Sequence, residues 1–452
     1  MTDWKTLADL RRLEALLRRA GLDAAAIGDK PQRFARAAET VGTSDASALA
    51  FFVPGRIEVL GKHTDYCGGH SLVTAVERGF CIVACPRQDD LVRVFAQDED
   101  EEITFCLDPN LDVPVGTWTN YPMTVGRRLA RNFPDCRTGA DIAFSSDLPV
   151  AAGMSSSSAL LIATYLVLAT INKLEQTERF RAHVVDELTR AEYLGTHENG
   201  QSFGDLAGDR GVGTFGGSED HTAILCSTAD HLGLYSYCPT RAIRQIRLPN
   251  DLVFVVGSSG VVAHKTGAAQ ELYNRASLRS RALVSAWQKQ DPEPVVYLAD
   301  ITSKGPPAVD RLRTAIAAGS DGFDAQELSV RLDHFLAEEE LLTQAADALA
   351  VQDVRSFGQH VDRSQELTDT LLGNQVPETR DLARLAREQG ALAASAFGAG
   401  FGGSVWSLVP RTEAAQFTQR WSAAYVAQYP VRESTCGFFA TGAGPCAFPI
   451  LS

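Results

Sequence analysis

The segment Leu148-Pro149-Val150-Ala151-Ala152-Gly153-Met154-Ser155-Ser156-Ser157-Ser158-Ala159 sets a turn of small residues and four serines directly before an uncharged apolar stretch ending at Ile171. Apolar side chains occupy nearly every side of that stretch, so a helix built from it has no solvent face and must be buried. It is too short for a membrane span, which takes about 20 residues. The chain must therefore build enough structure to surround it. The first turn of such a helix exposes unpaired N–H groups, the positive end of the helix dipole and several hydroxyls at one point. That combination binds anions, phosphate above all. Capping alone explains one serine; it does not explain four.

The chain has 452 residues, which at roughly 100–200 residues per domain favours two or three domains. Its hydrophobic fraction of 45% and charged fraction of 22% are ordinary for a soluble globular protein. Lys and Arg total 42 against 56 Asp and Glu, a formal net charge of -14. Such an acidic chain lacks the sequence-independent phosphate attraction of nucleic-acid binders, so nucleic acid is not an expected partner. The nine cysteines are scattered without a CxxC pair, the pattern of reduced thiols rather than a disulfide framework. The charged start MTDWKTLADLRRLEALLRRA has no apolar core and does not read as a secretory signal. The expectation is a cytoplasmic protein without a membrane partner.

Trp4, Leu7, Leu10, Leu13, Leu16 and Leu17 recur at three- and four-residue steps, predicting a helix over 4–20. Short β-rich runs follow between 48 and 107, namely 50–53, 56–60, 81–85, 91–96 and 103–107. Helices are predicted over 122–132, 156–172 and 178–195. Residues 241–251 read as a polar connection, and 252–257 restart a buried-strand pattern, which divides the chain into domains 1–245 and 246–452. Helices over 265–289, 325–349 and 352–372 and strands near 393–397 and 404–409 complete an α+β pattern.

Two further glycine-bearing segments stand out. Pro54-Gly55-Arg56-Ile57-Glu58-Val59-Leu60-Gly61-Lys62-His63-Thr64-Asp65-Tyr66-Cys67-Gly68-Gly69 is not a Walker A loop. Five residues separate Gly55 from Gly61, and His63 stands where the metal-binding hydroxyl belongs. Its dense cluster of donors and acceptors suits a polyol, although a strand followed by an Asx-stabilised turn accounts for the residue types equally well. Ser395-Ala396-Phe397-Gly398-Ala399-Gly400-Phe401-Gly402-Gly403-Ser404-Val405 is rich enough in glycine to approach a ligand or another segment closely.

In this order and spacing the three segments resemble the three signature motifs of the GHMP small-molecule kinases, most closely the galactokinase family. The first is similar to the family's sugar motif at Gly55, Arg56, Gly61, His63–Tyr66, Gly68 and Gly69. Weaker matches lie at Trp118-Thr119-Asn120-Tyr121, Glu198-Asn199, Gly217-Ser218-Glu219-Asp220-His221 and Tyr273-Asn274-Arg275. The resemblance implies a two-domain GHMP kinase fold with mixed sheets and helices and an active site in the cleft between domains. It implies an ATP-dependent kinase acting on the anomeric hydroxyl of galactose or a galactose-like sugar, with ATP and Mg²⁺ bound and monomeric assembly admitted.

By the same resemblance Asp220 would accept the proton of the attacking hydroxyl, and Arg56 would neutralise developing phosphate charge and keep Asp220 ionised. Lys62, His63, Asp65, Gly217 and Tyr273 fall on sugar-contacting positions. Trp118 and the loop Ala151, Ala152, Gly153, Met154, Ser155, Ser156 and Ser157 fall on nucleotide positions, and Ser157 and Glu198 on the metal positions. An insertion at 202–210 disturbs the register near Glu198, with Glu192 as the other metal candidate. Glu219 and His221 read as supporting or solvated residues, as do His264 and Lys265. A non-catalytic sugar and ATP sensor is the alternative; the presence of Arg56, Asp220 and the serine loop favours the enzyme.

The pattern also departs from the family. Lys62 replaces a glutamate near the sugar C6 position, exchanging an acceptor for a three-donor cation, so a uronic acid or other C6-altered sugar becomes an expected substrate. Glu58 replaces asparagine, Gly216 cysteine, and Ala151 the first glycine of the phosphate loop.

Overall fold

Strands β1 (Leu49–Leu60) and β2 (His70–Pro86) pair antiparallel along most of their length, and the turn between them carries Gly61 to Gly69. The computed structural model describes residues 5–42, 48–149, 152–261, 268–291 and 293–451. The runs expected at 50–53 and 56–60 are one strand, with a register shift between Pro54 and Arg56. That irregularity falls at the start of the first motif and redirects the strand there.

Strands β3 (Leu91–Ala96), β4 (Glu101–Cys106) and β5 (Ala140–Ser146) extend the sheet beyond the second half of β2, where β5 pairs with residues 80–86. Strands β6 (His231–Ser236) and β7 (Arg241–Arg247) continue it beside His70–Val73. The expectation of a polar connection over 241–251 is corrected here: residues 241–247 form an edge strand. Its side chains are mostly exposed and only Ile246 is buried, so its composition gave little sign of a strand.

A second sheet holds β8 (Leu252–Ser258), β9 (Ala393–Ala396), β10 (Ser404–Pro410) and β11 (Gly437–Thr441), in the order β11-β8-β10-β9. The passage between sheets therefore lies between β7 and β8. The last strand, β12 (Phe448–Leu451), returns to pair with β1 in the first sheet, so the C-terminal segment is not confined to the second sheet.

The helix Ser156–Ile171 lies on the first sheet, with Ala159, Leu161, Ile162, Ala163, Val167 and Leu168 all fully buried. Each large apolar side chain there contributes about 1.5–3 kcal/mol on burial. The helices Leu10–Arg19 and Lys30–Val41 cover the opposite face, packing Leu13, Leu17 and Phe34 on Phe52, Cys81 and Val83. The central core continues from the first sheet into Phe254, Val256 and Trp406 of the second, through Leu342 and Phe357 of the helices Ala325–Ala350 and Val354–Leu367. The two halves thus share apolar packing behind their junction.

Two predicted helices are interrupted by their own polar residues, and a third changes form before its end. The Asp9 carboxylate accepts from the N–H groups of Arg11 and Arg12 and restarts the helix predicted over 4–20. Asp186 caps Glu187–Asn199 through the Thr189 N–H, separating it from Glu178–His183. Gly373, with φ 69°, ends the π-type turn that follows Val354–Leu367. All nine cysteines are free. No helix among the described residues is long and apolar enough to cross a membrane.

Candidate active site

Pro54-Gly55 brings Arg56 to the point where β1 meets the serine loop. A Cβ on Gly55 would lie 2.7 Å from Leu148 Cδ2 and 2.8 Å from the Met154 carbonyl oxygen, so only glycine permits this approach. The Arg56 N–H donates to that Met154 carbonyl, and Arg56 Nη1 donates to the Gly153 carbonyl at 2.7 Å. Ser404 of the third motif donates to the Ala152 carbonyl at 2.6 Å. The first and third motifs thereby hold the loop by its carbonyls. Ser155 precedes the helix in a left-handed conformation, φ 55°, makes no side-chain cap, and buries a hydroxyl without a hydrogen-bond partner among the described residues. Uncapped N–H groups and an orphaned hydroxyl at one helix start fit a phosphate. Ala151 lies outside the described residues.

Asp220 stands in the first turn of Glu219–Cys226. Arg56 Nε donates to its Oδ1 at 2.7 Å, and Ser158 Oγ, whose one proton goes to the nearer Glu198 carboxylate, lies 3.3 Å from its Oδ2. Burial opposes the Arg56 charge, but Asp220, Glu219 and Glu58 outweigh it and raise the guanidinium pKa. Asp65 accepts from the Gly217 and Glu219 N–H groups at 3.1 and 3.3 Å. Its carboxylate thus anchors the start of the Asp220 helix to the first motif. Burial nevertheless pushes the Asp65 carboxyl up, with Asp220 adding to the effect.

Arg56, Asp65 and Asp220 line an open, mostly polar pocket with His63, Tyr273, Glu198 and Gly217. His63 lies between the Tyr66 hydroxyl, at 2.8 Å from Nδ1, and the Ala399 carbonyl, at 3.3 Å from Nε2. The Tyr273 ring centroid is 5.2 Å from that of His63. Glu198 accepts from Ser158 Oγ at 2.6 Å and faces His221 Nε2 at 3.4 Å.

Three family models match the chain: the galactokinase galactose-binding signature at residues 38–86, the GHMP kinases N terminal domain at 120–200 and the GHMP kinases C terminal at 345–427. A galactokinase of Chloroflexus aggregans is 30% identical over 390 residues, covering 84% of this chain and 87% of the relative. The chain belongs to the galactokinase family of GHMP kinases. A galactokinase of Roseiflexus sp. is 29% identical over 373 residues, covering 82% of this chain and 86% of that one. The crystal structure of Lactococcus lactis galactokinase complexed with galactose shares the fold. It aligns with a TM-score of 0.72 at 20% identity, covering 90% of this chain and 97% of that one.

Several residues of this galactokinase-family chain lie elsewhere than expected. Lys62 does not line the cavity. It is buried, and its ammonium donates to Ser364 Oγ at 3.1 Å, while Ser364 donates to Glu338, which also accepts from the Gly61 and Lys62 N–H groups. The ammonium reaches that buried carboxylate of the helix Ala325–Ala350 only through Ser364, away from the cavity lining, so the position of Lys62 gives no support to its expected pairing with a uronic acid. Trp118, expected at a nucleotide position, packs on Phe144 and donates to Glu101. Ser158, rather than Ser157, is the serine hydrogen-bonded to Glu198; Ser157 sits half-buried one residue earlier. Glu192 turns to the Thr240 N–H and is not beside the cavity.

Two cavity carboxyls were not expected there. Glu58 accepts from the Gly398 N–H at 2.7 Å. Burial pushes it up to about 7 even though Arg56 and Lys62 pull it down. Its spacing of two from Arg56 on a strand puts both on one face, a signal present in the sequence. Glu219 also lines the cavity, and burial, with Glu58 and Asp65 nearby, raises its pKa well above the usual carboxylate range.

Among the described residues no group of three or more His, Cys, Asp or Glu side chains could hold a metal ion by itself. The Ser158–Glu198 pair beside Asp220 suits Mg²⁺, which takes one or two carboxylates and completes its shell with water and substrate phosphates.

Proposed function

We propose that this sugar kinase of the galactokinase type transfers the γ-phosphate of ATP to the anomeric hydroxyl of galactose or a galactose-like sugar. The observation that carries the reading is the Arg56–Asp220 contact beside the serine loop: one guanidinium bridges the Asp220 carboxylate and the Gly153 carbonyl. Phosphoryl transfer asks a protein mainly for positioning and charge stabilisation, and this arrangement offers both. The N–H groups and hydroxyls of Ser155, Ser156 and Ser157 would seat the nucleotide phosphates at the helix start. Asp220, held by Arg56 through Oδ1, would orient the attacking hydroxyl and accept its proton. Arg56 would hold Asp220 ionised and face the charge that develops on the transferred group. Glu198 and Ser158 would hold Mg²⁺, which would supply charge neutralisation for the nucleotide phosphates. His63, Asp65, Gly217 and Tyr273 would shape the sugar pocket. The carboxyl-rich lining favours a neutral or cationic sugar over a uronic acid.

ATP consumption with a panel of galactose, galactosamine, glucose and galacturonate tests the reading against an Asp220→Ala control. Turnover of a galactose-configured sugar at least a thousandfold above the control is expected, at about the scale of losing a group that acts in the transition state. A wild type no faster than the control on every sugar contradicts it.

A further inference from the structure

Two buried charges on one helix hold the backbone of the turn between β1 and β2. The helix Ala325–Ala350 sets Arg331 and Glu338 seven residues apart, two helical turns, so both face the same side. They are 2% and 0% exposed. Glu338 Oε1 accepts from the Gly61 and Lys62 N–H groups at 2.8 and 3.2 Å. Arg331 Nη2 donates to the His63 carbonyl at 2.6 Å and to Cys67 Sγ at 3.1 Å. Glu339 accepts from the His70 N–H at 2.7 Å, where the turn passes into β2. A Cβ on Gly69 would come within 3 Å of Glu339 Oε1 and Phe335 Cε2, so glycine at that position is what admits the helix. Burying a charge is costly unless it is hydrogen-bonded; Glu338 draws its partners from the turn and Ser364, and Arg331 from the turn and His334. Apolar side chains of similar volume fill a buried seam at lower cost than charges do, so packing alone does not call for these two.

What the two charges hold in place is His63. Its φ of 59° lies in the left-handed region that a residue with a side chain seldom adopts, and such a conformation persists only where the surroundings enforce it. The N–H that precedes His63, on Lys62, is bound by Glu338, and the carbonyl of His63 itself is bound by Arg331. The described lining of the cavity takes His63, Asp65 and Tyr66 from this turn and neither Arg331 nor Glu338. We infer that Glu338 and Arg331 are positioning residues for the sugar pocket: they fix the backbone on both sides of His63, and with it the direction in which His63 and Asp65 face the sugar. The inference rests on the sugar-kinase reading above and adds two residues that set sugar affinity from outside the pocket. The serine loop is held separately, by Arg56 and Ser404. Loosening the turn therefore weakens sugar binding and spares the nucleotide.

The experiment measures KM for ATP, KM for the best-used sugar of the panel above and the urea unfolding midpoint, in wild type, Glu338→Leu, Glu338→Gln and Arg331→Met. Glu338→Leu and Arg331→Met are expected to raise the sugar KM about tenfold or more, the scale of hydrogen bonds to charged groups, with the ATP KM within about twofold of wild type. Glu338→Gln separates position from stability. Its amide oxygen still accepts from the Gly61 and Lys62 N–H groups, while the charge facing Ser364 is gone. The midpoint is expected to fall and the sugar KM to stay within about threefold of wild type. A sugar KM that follows the unfolding midpoint across the variants, sugar and ATP KM rising together, or an unchanged sugar KM in Arg331→Met overturns the inference and leaves the kinase reading intact. Hydrogen exchange on the wild type gives a second reading that stands even where a variant fails to fold. Saturating sugar is expected to slow exchange over 331–339 as well as over 61–70, and slowing confined to the turn overturns the inference. Absence of wild-type turnover with every sugar is the separate result that removes the kinase reading and this inference with it.

Discussion

Arg56 Nε lies 2.7 Å from Asp220 Oδ1 across a sequence separation of 164 residues. The side chains are 3% and 14% exposed, so solvent screens the pair weakly. The same guanidinium reaches the Gly153 carbonyl. One residue of the first motif therefore ties the carboxylate helix to the serine loop, and the relative position of both depends on it.

Replacing Arg56 with alanine strands Asp220 and Glu58 beside the loop. Removing one partner of a buried ion pair is destabilising by about 3–5 kcal/mol, which urea unfolding reads directly. Arg56→Lys keeps the charge but lacks the planar fork that serves Asp220 and Gly153 together. It is expected to recover most of the stability and still lower kcat by about a hundredfold or more.

Gly55→Ala pushes a methyl group into Leu148 and the Met154 carbonyl, both under 3 Å from its position. Loop displacement is expected to raise KM for ATP about tenfold while KM for the sugar moves much less. Steady-state kinetics with each substrate varied in turn separates the two.

Glu58, with its pKa pushed up to about 7, makes stability depend on pH. Between about 4.5 and 7 the folded state binds more protons at this group than the unfolded chain does. Its contribution is therefore fully present below the unfolded pKa and is lost as pH rises through the folded value. Glu58→Gln removes the dependence and can still accept from the Gly398 N–H. The variant is expected to gain on wild type between pH 5 and pH 8 by on the order of 3 kcal/mol, measured by urea unfolding at both pH values.

Ser158→Ala removes the hydroxyl that Glu198 and Asp220 share. A fall in kcat of about tenfold and a higher Mg²⁺ requirement are expected, about the scale of a hydrogen bond to a charged group. Titration of Mg²⁺ at saturating ATP reads both. Ser157→Ala serves as the comparison, and an equal effect at both positions would place the metal contact at Ser157 as well.

Lys62→Met removes the buried ammonium that donates to Ser364, the hydroxyl that in turn donates to Glu338. The expected outcome is a lower unfolding midpoint with the ratio of galactose to galacturonate turnover unchanged. A shift of that ratio toward galactose would restore Lys62 to the sugar pocket.

Arg56 and Asp65 could be found in the sequence because one motif brings several distinctive side chains close together along the chain, and Asp220 because of the separate match at Gly217-Ser218-Glu219-Asp220-His221. The buried serine-led helix was equally readable, since an apolar surface on every side leaves one packing solution. The Lys62 environment was not, because Glu338 and Ser364 come from helices some 270 and 300 residues downstream with no motif around them. Among four consecutive serines the expectation falls on Ser157, but which one turns toward Glu198 depends on helical phase, and it is Ser158. Strand β7 and the return of β12 depend on pairing partners distant in sequence, which local composition does not report.

The most direct measurement is phosphorus NMR of the product formed from ATP and a turned-over sugar. The account predicts stoichiometric ADP and a phosphate on the anomeric oxygen, with the signal lost in Asp220→Ala. A phosphate on another hydroxyl, release of free phosphate instead of a sugar ester, or an undiminished signal in Asp220→Ala would contradict it.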